Sequence, residues 1–172
     1  MPSNVEIKTV LRDPAAAHRI AARLSGGPPR LIAQQDVFFR CPAGRLKLRI
    51  FDSGEGELIL YNREDEAAAR RSDYIIARTP DAATLRQILE RTEGSIGTVR
   101  KTRSLYLVGQ TRIHIDDVKS LGDFLEIEVV LQHGQSVAEG QRISDDLLRE
   151  FGITPDQHVA GSYFDLLTAG SP

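Results

Sequence analysis

The sequence predicts an α+β fold in which a largely antiparallel sheet carries helices in its longer connections. Segments that alternate apolar and polar residues outnumber helical segments, and short turns separate most of them. The chain has 172 residues, of which 41% are hydrophobic and 27% charged. These values are typical of a globular protein, predicted here to be a single domain over residues 1–172. They exclude a disordered tail and a fibrous repeat.

Strand character recurs in eight segments along the chain. They cover residues 3–11, 31–41, 45–51, 57–63, 72–78, 97–108, 111–118 and 123–132. The stretch from Asp52 to Gly56 contains two glycines and predicts a tight turn between the third and fourth strands. The polar, alanine-rich stretch from Glu64 to Arg71 is predicted to be a mobile connection.

Three helices are predicted in the remaining segments. The first begins at Asp13, which a proline follows, and the second begins near Thr79, which a proline also follows. The third begins at Ser136, which forms a capping box with Glu139 three residues later. Each helix has an apolar face that can pack on the sheet.

The composition excludes several classes of function. The single cysteine, Cys41, excludes a disulfide framework and a multi-cysteine zinc site, and it fits a reducing compartment. A net charge of -2, from 22 basic and 24 acidic residues, is too balanced for a general nucleic-acid binder. Neither a membrane-spanning apolar run nor a secretory leader is evident. We therefore expect a cytoplasmic protein that binds neither a nucleic-acid polymer nor a membrane.

The predicted strands carry charges of like sign on one face. Arg45, Lys47 and Arg49 alternate with aliphatic residues, as do Glu126 and Glu128. One interpretation is a sheet with one face on the core and one face in water. Like charges side by side are unfavourable on such a face. The other interpretation is a barrel whose charged faces point inward around a polyanion, with carboxylates holding a Mg²⁺ ion that bridges its phosphates.

Six short motifs in order support the second interpretation. They are Asn4–Lys8, Gly44–Arg49, Tyr61–Arg63, Lys101–Gly109, Arg112–Asp116 and Leu121–Glu128, and Gly161–Leu167 also fits. Together they resemble the CYTH superfamily, or triphosphate tunnel metalloenzymes, and the stretch 101–128 is most similar to class IV adenylyl cyclases of the CyaB type. The resemblance implies an antiparallel, eight-stranded closed β-barrel, the triphosphate tunnel, with helices packed outside.

The resemblance also implies roles for the charged residues. Contacts to the triphosphate are assigned to Lys8, Arg45, Lys47, Arg49, Arg63, Lys101, Arg103 and Arg112, of which Lys8, Lys47, Arg49 and Lys101 are taken as catalytic. The predicted ligands of a Mg²⁺ or Mn²⁺ cofactor are Glu6, Asp116, Glu126 and Glu128. Asn4 stands where the family usually carries the first of two glutamates, so it would offer a cation an oxygen without charge.

Two further residues share the predicted inward faces. His114 lies on the face of Arg112 and Asp116, where a structural role is favoured over proton transfer. Asp36 precedes two phenylalanines on its strand and is a candidate for contact with a nucleotide base.

Three functions are compatible with these residues. The leading hypothesis is a class IV adenylyl cyclase, in which the ribose 3′-oxygen of ATP attacks the α-phosphorus and pyrophosphate leaves, held by Lys47, Arg49 and Lys101. The first alternative is an inorganic or thiamine triphosphatase that orients water at the terminal phosphorus. The second is a non-catalytic polyphosphate- or nucleotide-binding module, which the replacement at Asn4 keeps open. The cyclase resemblance alone suggests a homodimer.

Overall fold

The computed structural model describes residues 3–63 and 70–169. Its strands are β1 Ser3–Val10, β2 Arg30–Phe39, β3 Arg45–Phe51, β4 Gly56–Arg63, β5 Arg70–Thr79, β6 Ser95–Val108, β7 Thr111–Val118 and β8 Gly122–Val130. The helices within these ranges are α1 Pro14–Ser25, α2 Ala82–Thr92, α3 Val137–Glu150 and α4 Tyr163–Ala169, with a 3₁₀ turn at Pro155–Gln157. The predicted α+β class is confirmed.

All eight strands join one antiparallel sheet in the order β1-β5-β4-β3-β2-β6-β7-β8. The sheet curls into a barrel because β1 pairs with both β5 and β8. Among the described residues, Ser3–Glu6 pairs with Arg70–Asp73 of β5, and Asn4–Val10 pairs with β8. Most of the connection predicted over 64–71 lies outside the described residues, and its last two positions begin β5.

Local signals in the sequence fix where the helices begin. The Asp13 side chain accepts a hydrogen bond from the amide of Ala16, as expected for the residue that caps α1. Ser136 and Glu139 form the predicted capping box of α3. The second helix begins later than expected, because Asp81 caps it instead of Thr79. No helix within the described ranges is long and apolar enough to cross a membrane.

The helices cover the aliphatic outer face of the barrel. Val5, Ile113 and Ile127 are fully buried beneath α1 and α3. On another side, Val37 and Leu48 are fully buried against α2. Because successive residues of a strand point to opposite faces, burial of these aliphatic side chains outside the barrel turns their charged neighbours inward. The interpretation of inward charged faces is therefore the one that the structure supports.

Helix α4, which the sequence analysis did not predict, fills one end of the barrel. Its Phe164 ring stacks on Phe38 of β2 with 4.8 Å between ring centroids. Its Tyr163 ring meets Phe124 of β8 edge-on at 5.0 Å. Val99 and Val118 complete this apolar plug, so the cavity of the barrel opens towards the opposite end, where β2 begins and β3 ends.

Candidate active site

The inward faces of the strands enclose a polar cavity of about 1250 Å³. Its lining includes most of the charged residues that the sequence analysis selected. The basic ones are Lys8, Lys47, Arg49, Lys101, Arg103 and Arg112, and the acidic ones are Glu6, Glu126 and Glu128, joined by Asp36. The β-barrel therefore brings together residues that are up to 122 positions apart, from Glu6 to Glu128.

Asp36 organises the cations of β3. It lies opposite Arg49 in the β2–β3 pairing and accepts two hydrogen bonds from that guanidinium, both at 2.9 Å. Lys47 Nζ lies 3.1 Å from the same carboxylate. Burial by itself would raise the pKa of Asp36, but Arg49 and Lys47 outweigh it and hold this pKa well below its usual value. Asp36 is therefore an ionised partner of these two cations, a role that the sequence analysis missed.

Asp116 organises the cations of β6 in the same way. Arg103 donates to both of its carboxylate oxygens, at 2.7 and 2.6 Å, and to Glu126 at 2.6 Å. Lys101 Nζ lies 3.5 Å from Asp116, and the Tyr163 hydroxyl donates to it at 2.9 Å. Asp116 is completely buried. Its oxygens are thus engaged by three side chains of the protein, and its predicted role as a metal ligand stays a prediction.

Two lysines of the cavity, Lys47 and Lys101, hold their protons less firmly than ordinary lysines. Burial lowers the pKa of Lys47 to about 8, against the attraction of Asp36. Burial also lowers the pKa of Lys101, and the nearby Arg103 lowers it further. An anion that enters the cavity would favour the charged form of both lysines, because an opposite charge nearby stabilises it.

Lys8 lies where α4 meets the cavity. Its ammonium group donates to the carbonyl oxygen of Gly161 at 3.1 Å and lies 3.4 Å from Glu126. It also lies 4.0 Å from the centre of the Tyr163 ring, a distance typical of a cation–π interaction. Lys101 lies 4.9 Å from the same ring. Tyr163 therefore fixes two of the predicted phosphate-binding lysines, although the sequence analysis assigned it no role.

Carboxylates and an amide meet where β1 runs beside β8. Glu6 is directly opposite Glu128 in the strand register, and like charges in this position are unfavourable. Asn4 donates to Glu128 through its amide nitrogen, and Arg112 lies 3.4 Å from the same carboxylate. The side-chain oxygen of Asn4 is buried without a hydrogen-bond partner among the described residues.

This donor set fits a hard divalent cation. Mg²⁺ commonly binds one or two carboxylates and completes its shell with water and substrate phosphate oxygens. Glu6 and Glu128 would supply the carboxylates for such an ion, and the Asn4 oxygen would add a neutral ligand. Within residues 3–63 and 70–169, no group of three or more histidine, cysteine or acidic side chains is arranged to hold a metal by itself. A cation here would therefore depend on oxygens from the substrate.

The other predicted site residues lie away from this centre. Arg45 donates to Ser162 and to Asp165 at 3.1 and 2.5 Å, so it ties β3 to α4. Arg63 is the last residue of β4, and its side chain lies outside the described part of the structure. His114 is buried between Glu126 and Glu128, at 3.6 and 3.9 Å. Burial and the nearby Arg103 lower the pKa of His114.

Comparison with known proteins agrees with this arrangement. The model of the CYTH domain matches residues 3–163. The chain belongs to the CYTH domain family. Members of this family act on triphosphate substrates and in general depend on a metal ion. No curated protein matches the chain.

Solved structures share the fold at low sequence identity. PH1012 from Pyrococcus horikoshii is 22% identical, with a TM-score of 0.85 over 95% of this chain and 98% of that one. A "putative adenylate cyclase" from Vibrio parahaemolyticus is 19% identical, with a TM-score of 0.80 over 96% and 97% of the two chains. Another protein so named, from Bacillus halodurans, is 16% identical, with a TM-score of 0.60 over 96% and 98%.

Proposed function

We propose that this CYTH domain is an adenylyl cyclase that converts ATP into 3′,5′-cyclic AMP and pyrophosphate. The observation that carries the proposal is the convergence of Lys47, Arg49, Lys101 and Arg103 on one cavity inside the barrel. The two similar structures that are each described as a "putative adenylate cyclase" support the choice of reaction within the family.

The cations act by binding and orienting the triphosphate. Asp36 and Asp116 fix the two arginines in place, so their guanidinium groups are already oriented before an anion arrives. Ordered positive charge suits phosphoryl chemistry, because its catalysis depends chiefly on positioning and charge stabilisation. Lys47, Arg49 and Lys101 would hold the β- and γ-phosphates that leave as pyrophosphate.

The adjacent carboxylates complete the site. Glu6 and Glu128 would hold a Mg²⁺ or Mn²⁺ ion, which when bound neutralises phosphate charge and makes the attacking oxygen more nucleophilic. In this proposal the ribose would lie so that its 3′-hydroxyl is in line with the α-phosphorus. The 3′-oxygen would lose its proton to solvent water and bond to this phosphorus, as the bond from the phosphorus to the bridging oxygen of the β-phosphate breaks and pyrophosphate leaves.

A product assay tests the proposal. Purified protein is incubated with ATP, thiamine triphosphate or tripolyphosphate in Mg²⁺ and, separately, in Mn²⁺, and cyclic AMP, pyrophosphate and orthophosphate are resolved. We expect cyclic AMP and pyrophosphate in equal amounts from ATP. The Lys101→Gln variant should lose this activity, whereas Arg100→Gln, an exposed residue that points out of the barrel, should retain it.

Two results would contradict the cyclase. Orthophosphate without cyclic AMP would identify the protein as a triphosphatase, and the best of the three substrates would name its type. Tight binding of tripolyphosphate with no turnover in either metal would identify a binding module, in which Asn4 replaces the acidic residue usual in the family.

A further inference from the structure

A glutamine that the proposed mechanism does not use points into the cavity. Gln34 of β2 lies opposite Lys101 of β6 and Phe51 of β3 and lines the cavity with them. Its side chain belongs to the buried set, with 7% relative exposure. Its carbonyl oxygen Oε1 is buried and has no hydrogen-bond partner among the described residues.

An unpaired buried acceptor is unusual and costly in a folded protein. Phosphate cannot relieve this cost, because both an amide oxygen and the oxygens of an ionised phosphate are hydrogen-bond acceptors. Gln34 Oε1 needs an N–H or O–H donor. Bare tripolyphosphate offers no such donor when it is fully ionised, whereas a nucleoside offers several.

The surroundings of Gln34 suit a nucleoside. Ile32, Gln34 and Asp36 are successive inward-facing residues of β2. Asp36 holds the cations, and Ile32 lies on the side of the opening. Ile32, Phe51 and Leu105 line the cavity on that side. The opposite end is filled by α4. A triphosphate bound at the cations therefore directs its nucleoside past Gln34, towards apolar side chains that can contact a ring.

We propose that Gln34 is a specificity residue that accepts a hydrogen bond from the nucleoside and so distinguishes a nucleotide from a bare polyphosphate. This inference rests on the proposed function, because it takes ATP as the ligand. Two donors of ATP can satisfy the requirement, namely the 6-amino group of adenine and the 2′-hydroxyl of ribose. Gln34 would therefore favour a nucleotide over a bare polyphosphate, whereas the cations bind the phosphate groups that both substrates contain.

Binding measurements on matched variants test this role. Gln34→Leu removes the amide at similar size, and Gln35→Leu makes the same change at the next residue, which points out of the barrel. Calorimetry without a divalent metal ion, which prevents turnover, gives the dissociation constants for ATP, 2′-deoxy-ATP, purine riboside triphosphate and tripolyphosphate. Thermal unfolding confirms that each variant is folded. We expect Gln34→Leu to weaken ATP binding about tenfold, the value of one hydrogen bond, with tripolyphosphate unaffected.

The wild-type affinities identify the donor. Weaker binding of purine riboside triphosphate, which lacks the amino group, would name the base, whereas weaker binding of 2′-deoxy-ATP would name the sugar. The analogue that lacks the donor and ATP itself should bind the Gln34→Leu variant with equal affinity. The Gln35→Leu variant should bind all four ligands as the wild type does.

Three outcomes would overturn the proposal. An unchanged affinity of Gln34→Leu for ATP would exclude the hydrogen bond. An equal loss for ATP and tripolyphosphate would make Gln34 a part of the phosphate site instead. Both outcomes would leave the proposed cyclase intact, because its cations would still bind the triphosphate. Failure of the wild type to bind either ligand would reject the proposed function and this inference together.

Discussion

Asp36 of β2 lies directly opposite Arg49 of β3 and accepts hydrogen bonds from both Nε and Nη2 of its guanidinium, each at 2.9 Å. The same carboxylate contacts Lys47. Without a ligand, one buried acid therefore offsets two partly buried cations. The Asp36 carboxylate both orients these cations and competes with any phosphate that approaches them. Its removal should therefore lower the stability of the protein and raise its affinity for phosphate.

The Asp36→Asn variant tests this competition. We expect its free energy of unfolding to fall by about 3 kcal/mol, because two partly buried cations lose their charged partner. Its affinity for tripolyphosphate should rise about tenfold, since the phosphate no longer displaces a carboxylate. Urea unfolding and calorimetry measure the two effects. Asp117→Asn, at an exposed and outward-facing position, is the control and should change neither quantity. A fall in both stability and affinity would show that orientation of the cations matters more than competition.

The protonation of Lys47 predicts how binding depends on pH. Burial lowers the pKa of this lysine to about 8 in the folded protein. Above that pH the free protein loses the charge, and a bound phosphate must restore it by proton uptake. The affinity for tripolyphosphate should therefore fall by up to about tenfold for each pH unit above 8.

The Lys47→Arg variant provides the comparison for this pH dependence, because an arginine stays charged throughout the range. Calorimetry from pH 6.5 to 9.5 should show a shallower decline for the variant than for the wild type. Lys101 also has a lowered pKa, so some decline should persist in Lys47→Arg. Parallel curves for the two proteins would exclude Lys47 as the titrating group. The ligand's own ionisation affects both curves equally.

Alternation along strands made much of this barrel predictable from sequence. Arg49 and Leu48 had to point in opposite directions, and the aliphatic residue had to be buried. The partners of the cations were harder to predict, because strand register decides them. Asp36 and Arg49 are 13 positions apart and become neighbours only when β2 pairs with β3. Phe38 and Phe39, which follow Asp36 on β2, instead suggested that this strand contacts a nucleotide base.

Helix α4 shows a different reason for a missed prediction. Its apolar residues have no helical repeat long enough to recognise, because the helix covers only Tyr163–Ala169. A local signal was present, since Ser162 and Asp165 exchange hydrogen bonds across its first turn. Lys8 lies over the Tyr163 ring only because α4 fills this end of the barrel. The spacing of residues in the sequence could not predict this contact.

Lys101 and Arg100 are adjacent residues of β6 with opposite orientations. Lys101 is buried in the cavity, whereas Arg100 is exposed outside the barrel. Replacing Lys101 with glutamine should weaken tripolyphosphate binding at least tenfold, because a charge-assisted contact is lost. Replacing Arg100 with glutamine should leave binding within twofold of the wild type. Comparable losses in the two variants would mean that the anion binds outside the barrel.

Glu128 provides the test of the metal assignment. The Glu128→Ala variant should bind Mn²⁺ at least tenfold more weakly in the presence of tripolyphosphate, as measured by the paramagnetic resonance signal of the free ion. It should also lose turnover of ATP. Glu57→Ala is the matched control, because Glu57 lines the opening of the cavity and lies 3.5 Å from Arg78, on the side of β4 and β5. Unchanged activity in Glu128→Ala would show that this carboxylate is not a metal ligand. A loss of Mn²⁺ in Glu128→Ala, with binding retained in Glu57→Ala, would place the cation between β1 and β8, where Glu6 faces Glu128.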